Sequence, residues 1–206
     1  SSGGSMIIKA GTVVDTDVQA GGAFIISEKS NAYAVNVSSG SVSAFRADTM
    51  EFKQGSVLAG SNLFSGVIVK GGADLVLAQG AAMSIYAWNY MKNLGSLTVG
   101  TSATLEVKDI SNTLSKAIVY SSAKTVFDIT RVRAAATEHM LSITSASKLN
   151  GTVEFAVARR QNAGVYELAA GLAVDSGKAF SVKAGTTALG SVTLGGSFTK
   201  YGVRYT

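Results

Sequence analysis

The chain has 206 residues, 47 % hydrophobic and only 15 % charged, with 23 Gly, one His, no Cys, no Pro and a formal charge of +5. The absent cysteines exclude a disulfide framework, thiolate zinc sites, iron–sulfur clusters and a thiol nucleophile, and a single histidine excludes a multi-His metal centre. The hydrophobic content is far above that of chains that stay unfolded, and no apolar run reaches the ~18 residues of a membrane helix, so one soluble domain is expected, with no membrane insertion.

Ser1–Ser5 (SSGGS) reads as an expression scar ahead of Met6 and is set apart from the fold. From 6 to 100 a short unit recurs: an apolar residue, two spacers, then glycine. It occurs as Ile8-Lys9-Ala10-Gly11, Val18-Gln19-Ala20-Gly21, Val37-Ser38-Ser39-Gly40 and Phe52-Lys53-Gln54-Gly55. It returns as Val69-Lys70-Gly71-Gly72, Leu77-Ala78-Gln79-Gly80 and Leu97-Thr98-Val99-Gly100. The spacing is a loose period of 15–20 residues with half-steps, which suits a solenoid whose repeats bury apolar faces only against their neighbours. Between the glycines, 24–26, 34–37, 66–69 and 75–77 are β-branched or apolar and read as short strands.

The texture changes in 101–150, which has no glycine at all, yet strand-like runs continue at 104–107, 117–120, 125–129 and 141–144. Arg133–Met140 (RAAATEHM) is the best helix candidate. From 151 to 206, strands are expected at 152–158, 165–168, 179–183 and 191–194, again separated by glycine. Proline cannot donate to a β-ladder and is confined to edges, first positions or bulges; a turn-rich chain without it points to strands bonded on both sides. The pattern predicts an all-β fold, a single parallel β-solenoid over 6–206 of roughly ten rungs of about 20 residues. Phe24, Phe52 and Phe155 are expected inside. A β-sandwich is the alternative.

Val18-Gln19-Ala20-Gly21-Gly22, Val37-Ser38-Ser39-Gly40-Ser41 and Val69-Lys70-Gly71-Gly72 resemble the passenger repeats of AIDA-type autotransporters, surface adhesins and self-associating proteins of Gram-negative bacteria. The tail, 164–171 and 189–206, looks like the region that follows such repeats. The repeats here are degenerate, and Gly-Gly is often replaced by Gly-Ser or Gly-Ala. The resemblance implies a β-solenoid passenger displayed at the bacterial cell surface. Its partners would be surface glycans or proteins, or a second copy of itself. It also implies that Ser38 and Ser39 are candidate glycosylation positions, because some family members carry sugars on repeat serines.

No catalytic constellation emerges, and no catalytic residue, cofactor or metal ligand is assigned. His139 has no partner that spacing nominates as a base pair. Asp15/Asp17 is the one acidic pair at i, i+2, although carboxylates from different rungs could meet. Neither a calcium-binding nonapeptide repeat nor a phosphate loop is present. Nucleic-acid binding is not expected, because Arg131/Arg133 and Arg159/Arg160 are the only dense basic spots. The candidate contact surface is Tyr86, Trp88 and Tyr90 in SIYAWNYM: on a strand the three rings share one face, either exposed for a glycan or protein or covering a flank of the core. The rival readings are a carbohydrate-active enzyme on the same fold and a carbohydrate-binding or phage-fibre-like module.

Overall fold

The computed structural model describes residues 3–65, 67–70, 74–85, 90–91 and 94–206. Among these residues every regular element is a strand, and successive strands stack in parallel as a β-solenoid rather than as a two-sheet sandwich. The chain visits three strand stacks in turn. The first contains Ser5–Lys9, Ala23–Ser27, 41–45, Ser61–Ser65, Ala82–Ile85, Thr104–Val107, Lys124–Asp128, Thr152–Ala156 and Ala179–Ala184, each paired in parallel with the next. The second contains Thr12–Val14, 31–35, Thr49–Phe52, Ile68–Lys70 and Tyr90–Met91. The third contains 38–40, Val57–Leu58, Leu75–Leu77, Leu94–Val99, Asn112–Val119, Leu141–Lys148 and Ala169–Ala173.

The repeat is not uniform. Along the first stack the register advances by 18 residues at Met6, Phe24 and Val42, by 20 to 22 through Asn62, Met83, Leu105 and Thr125, then by 28 to Val153 and 27 to Phe180. Strand alternation turns this register into two inward columns. Phe24, Val42, Asn62, Met83, Leu105, Thr125, Val153 and Phe180 form one; Ile26, Ala44, Phe64, Ile85, Val107, Phe127, Phe155 and Val182 form the other. Phe24 and Phe52 are buried as expected, and Phe155 is half-buried against Phe127 and Phe180.

Corners are built by turns. Gly21, Gly55 and Gly80 take φ of +73°, +77° and +69°. Each is the third residue of a turn closed by Gly22 N to Gln19 O (2.9 Å), Ser56 N to Lys53 O (3.3 Å) or Ala81 N to Ala78 O (3.1 Å). That is the type II pattern, which needs a left-handed third residue and so favours glycine.

Two polar residues interrupt the first column, with opposite outcomes. Asn62 is 3 % exposed and satisfied: its Oδ1 accepts from Val42 N at 2.8 Å and its Nδ2 donates to Ala59 O and Ala82 O at 3.2 and 3.1 Å. The buried Thr125 Oγ1 has no partner among the described residues. A buried hydroxyl without a hydrogen bond costs about 1–3 kcal/mol. Thr125→Val keeps the shape and removes the hydroxyl, so it is expected to stabilise the chain by about 1 kcal/mol, raising Tm by roughly 2–4 °C. An unchanged or lower Tm by calorimetry would mean that Thr125 is satisfied in solution.

The longer C-terminal steps contain two loops, 129–140 and 157–168, which lie against one another. Ala135 N donates to Val165 O (2.8 Å), Met140 N to Glu167 O (3.0 Å) and Gln161 Nε2 to Ile129 O (3.1 Å). The helix expected at Arg133–Met140 does not form: its backbone donors bond across to the neighbouring loop and Ala135 sits at φ +60°. The strand expected at 165–168 begins only at Ala169. At the end the parallel pattern stops. Ala179–Ala184 pairs antiparallel with Thr187–Thr193 around Gly185-Thr186, and Phe198–Lys200 pairs antiparallel with Val203–Tyr205. Phe198 packs on Gly190, where a Cβ would lie 2.7 Å from its ring, and stacks on Tyr205 at 4.8 Å between centroids. Hairpins thus replace the last of the rungs expected over 151–206.

Candidate functional site

The aromatic row cannot be followed in the structure. Tyr86 and Trp88 lie outside the described residues, and Tyr90 is placed only as backbone, in the strand Tyr90–Met91 paired with Ile68 and Val69. Ser38 and Ser39 are both exposed, on an irregular stretch where Ser39 takes φ +65° and the register slips between Ser38 and Gly40. The following Gly40 is buried and permits no side chain, since a Cβ would lie 2.6 Å from Val18 Cγ1 and 2.9 Å from Gly22 O. His139 Nε2 lies 3.5 Å from Glu167 Oε2, with both side chains part-exposed. Asp15 and Asp17 diverge to different partners, Lys53 at 2.9 Å and Asn36 at 2.8 Å.

The outer face of the first stack gathers what no single stretch of sequence contains. Glu106 Oε1 is 3.1 Å and Asp128 Oδ2 3.5 Å from the same Lys108 Nζ. Ser84 Oγ donates to Glu106 Oε2 at 2.8 Å, and Thr130 donates to Asp128 Oδ1 from both its backbone N (3.0 Å) and its hydroxyl (2.6 Å). Glu154 Oε2 receives Lys124 at 2.9 Å and Lys183 at 2.7 Å. Three carboxylates and three lysines from successive rungs therefore share one surface. The signal was present in the strands TLEVK, KTVFD, TVEFA and AFSVK: aligned as rungs, they superpose Glu106 with Glu154 and Lys108 with Asp128 and Lys183.

Chemically this is a neutralised ladder. Burial pushes the Glu154 carboxyl up, but hydrogen bonds from Lys183 and Lys124 outweigh it and hold the group below its ordinary 4.5. A carboxyl lowered on folding adds stability that is complete above its unfolded pKa and is lost as pH falls through the folded value. Glu154→Gln leaves two lysines facing a neutral amide. It is expected to cost about 1–2 kcal/mol at pH 7. The Tm gap to the unmodified chain should narrow as pH drops below about 4.5. A gap that stays constant from pH 7 to pH 3 would show that charge is not what Glu154 contributes.

A second polar array lines a corner of the third stack. Gln54 Nε2 donates to Asp74 Oδ2, Ser96 N donates to Asp74 Oδ1 at 2.9 Å, and Gln54 Oε1 accepts from Asp74 N at 3.3 Å. A hydrogen bond from the Ser96 side chain leads the effects that lower the Asp74 carboxyl, ahead of those from Gln54 and the Ser96 backbone N. This array ties rungs together. Among the described residues no group of three His, Asp or Glu side chains is placed to hold a metal ion, and no helix is long and apolar enough to cross a membrane. No family model matches the chain, and neither a curated protein nor a solved structure is found similar to it.

Proposed function

We propose that this chain is a non-catalytic structural module of a bacterial surface or secreted protein, acting outside the cell in adhesion, in self-association or as a stalk. The observation that supports it is the continuous parallel stack, whose one gathered set of carboxylates is bound to lysines that tie adjacent rungs. Such a stack extends by adding rungs, each stabilised by its neighbours, which suits presentation and spacing better than turnover. The test displays the chain on cells and scores cell sedimentation, beside a turnover screen on polysaccharides. Sedimentation without cleavage is the expected result.

The second reading, a carbohydrate-active enzyme, is favoured by one arrangement only: Glu106 and Asp128, 22 residues apart in the sequence, meet at Lys108 from adjacent rungs. Polysaccharide cleavage abolished by Glu106→Gln or Asp128→Asn would replace the first reading with the second. A carbohydrate-binding or phage-fibre-like module is the non-catalytic variant of the same proposal.

Within the adhesive reading, Tyr86, Trp88 and Tyr90 are proposed as a contact surface, since Trp and Tyr dominate interface hot spots. Trp88→Ala is expected to weaken cell aggregation about thirtyfold in affinity terms, the effect of losing ~2 kcal/mol at an anchor, with Tm unchanged. A Tm lowered by many degrees would place Trp88 in the core instead. Ser38 and Ser39 are proposed to carry sugar, and an intact mass from the native host equal to the bare sequence would remove that assignment.

A further inference from the structure

Positive charge is not spread evenly along the solenoid. From Val157 to Thr206 there are six Lys and Arg against two carboxylates, which accounts for +4 of the chain's +5. Both of those carboxylates are engaged, Asp175 by Lys148 at 2.9 Å and Glu167 beside His139. Two of the cations are also committed, Lys183 to Glu154 and Lys178 to the carbonyls of Leu149 and Asn150. Arg159, Arg160 and Lys200 make no ion pair with the described residues, and Arg204 reaches only the Ser197 hydroxyl, at 3.3 Å.

Two of these cations, Arg159 and Lys200, line the same cleft. It lies where the loop 157–168 meets the terminal hairpins, has a volume of about 350 Å³, and is walled by Thr187, Leu189, Tyr201 and Tyr205. No carboxylate lines it. Tyr201 is 80 % exposed, and Lys200 Nζ stands 5.1 Å from its ring centroid. Tyr205 is fixed by its stacking on Phe198. A planar guanidinium, an ammonium and the exposed Tyr201 ring beside the half-buried Tyr205 ring around one small concavity answer a ligand that is both anionic and flat-faced. The volume is at the small end of ligand sites.

We propose that this C-terminal cleft binds an acidic sugar, a uronate-type residue whose carboxylate is taken by Arg159 and Lys200 while its ring face lies on Tyr201. A nucleic acid is disfavoured, because it needs a basic track that follows several phosphates, and Arg159 and Lys200 are the two cations that line this cleft. The site is lined by residues of 159–205 alone. It deepens the binding-module reading and rests on it in one respect, that sugar is held and not cleaved.

Titration calorimetry with trigalacturonate, against neutral galactotriose and a short single-stranded DNA, tests the proposal. Trigalacturonate is expected to bind at least tenfold more tightly than galactotriose. The double variant Arg159→Gln/Lys200→Gln should weaken that binding roughly tenfold or more, as losing charge-assisted hydrogen bonds does, and Tyr201→Ala should weaken it severalfold. Arg131→Gln/Arg133→Gln, on the neighbouring loop, should leave it within twofold. These side chains are at the surface, so the variants keep the Tm of the unmodified chain. Equal binding of the neutral sugar, tighter binding of the DNA, or equal losses in the two double variants would each overturn the site. Its failure leaves the module reading standing, since cell sedimentation is scored separately.

Discussion

Gly171→Ala is expected to unfold the C-terminal rungs at temperatures where the unmodified chain is intact. Gly171 sits in Ala169–Ala173 opposite an irregular stretch, since Ser142 pairs with Ala170 but Ser147 pairs with Leu172. The strand meets this slip by turning left-handed at Gly171, φ +75°. A Cβ there would lie 1.9 Å from Ile143 O and 2.9 Å from Ile143 C, both backbone atoms of the paired strand. The left-handed conformation alone costs alanine about 1–2 kcal/mol. Relieving the overlap means parting two strands and losing ladder bonds of about 1 kcal/mol each. The sum is about 3–5 kcal/mol, roughly 6–20 °C in Tm. Gly185→Ala is the control: φ is +59° and nothing lies within 4 Å of the new Cβ, so only the conformational cost applies. Because solenoid rungs depend on their neighbours alone, hydrogen exchange should show lost protection over 141–173 and retained protection over 23–58. Equal effects of the two substitutions would mean that the close approach at Ile143 does not exist.

The strands were legible where alternation was clean. Leu75–Leu77 and Thr104–Val107 match the expected spans, and Lys124–Asp128 and Ala179–Ala184 fall within one residue of them. The glycine unit was legible as a repeat but not as one device. At Gly21, Gly55 and Gly80 it is the left-handed residue of a corner turn. At Gly40 it is a close approach to Val18, and at Gly100 it opens a turn whose left-handed position is Ser102, φ +56°. A pattern of residue types cannot separate these roles, because one needs a backbone angle and another needs empty space. The failed helix at Arg133–Met140 has the same kind of cause. Its local propensity is real, but nucleating a short helix is costly, and bonds from Ala135 and Met140 to Val165 and Glu167 satisfy the backbone instead. The carboxylate–lysine ladder was missed because its pairs between rungs, Lys108 with Asp128 and Glu154 with Lys124 and Lys183, are 20 to 30 residues apart, so only the register unites them.

Phe64→Ala should open the interior of the N-terminal half. Phe64 is fully buried between Ala44 and Ile85 in the second inward column, and its ring meets Phe52 edge-on at 6.1 Å and 77°. The small Ala44 on the adjacent rung is what makes room for the ring, so a large and a small residue share the space of two medium ones. Truncation to alanine puts two alanines in succession and leaves a cavity that hydrogen-bonded strands on both sides cannot close. Phenylalanine to alanine in a packed interior costs about 3–5 kcal/mol, whereas Phe64→Leu, which fills most of the volume, should cost about 1.5 kcal/mol or less. Phe45 is the contrast within the same strand stack. It points outward, is 48 % exposed, and has the Arg46 guanidinium 5.3 Å from its ring centroid. Phe45→Ala should therefore change stability by about 0.5 kcal/mol at most. Denaturant unfolding of the three variants separates the possibilities: if Phe45→Ala costs as much as Phe64→Ala, the register that points Phe64 inward is off by one residue, and with it every column of the core.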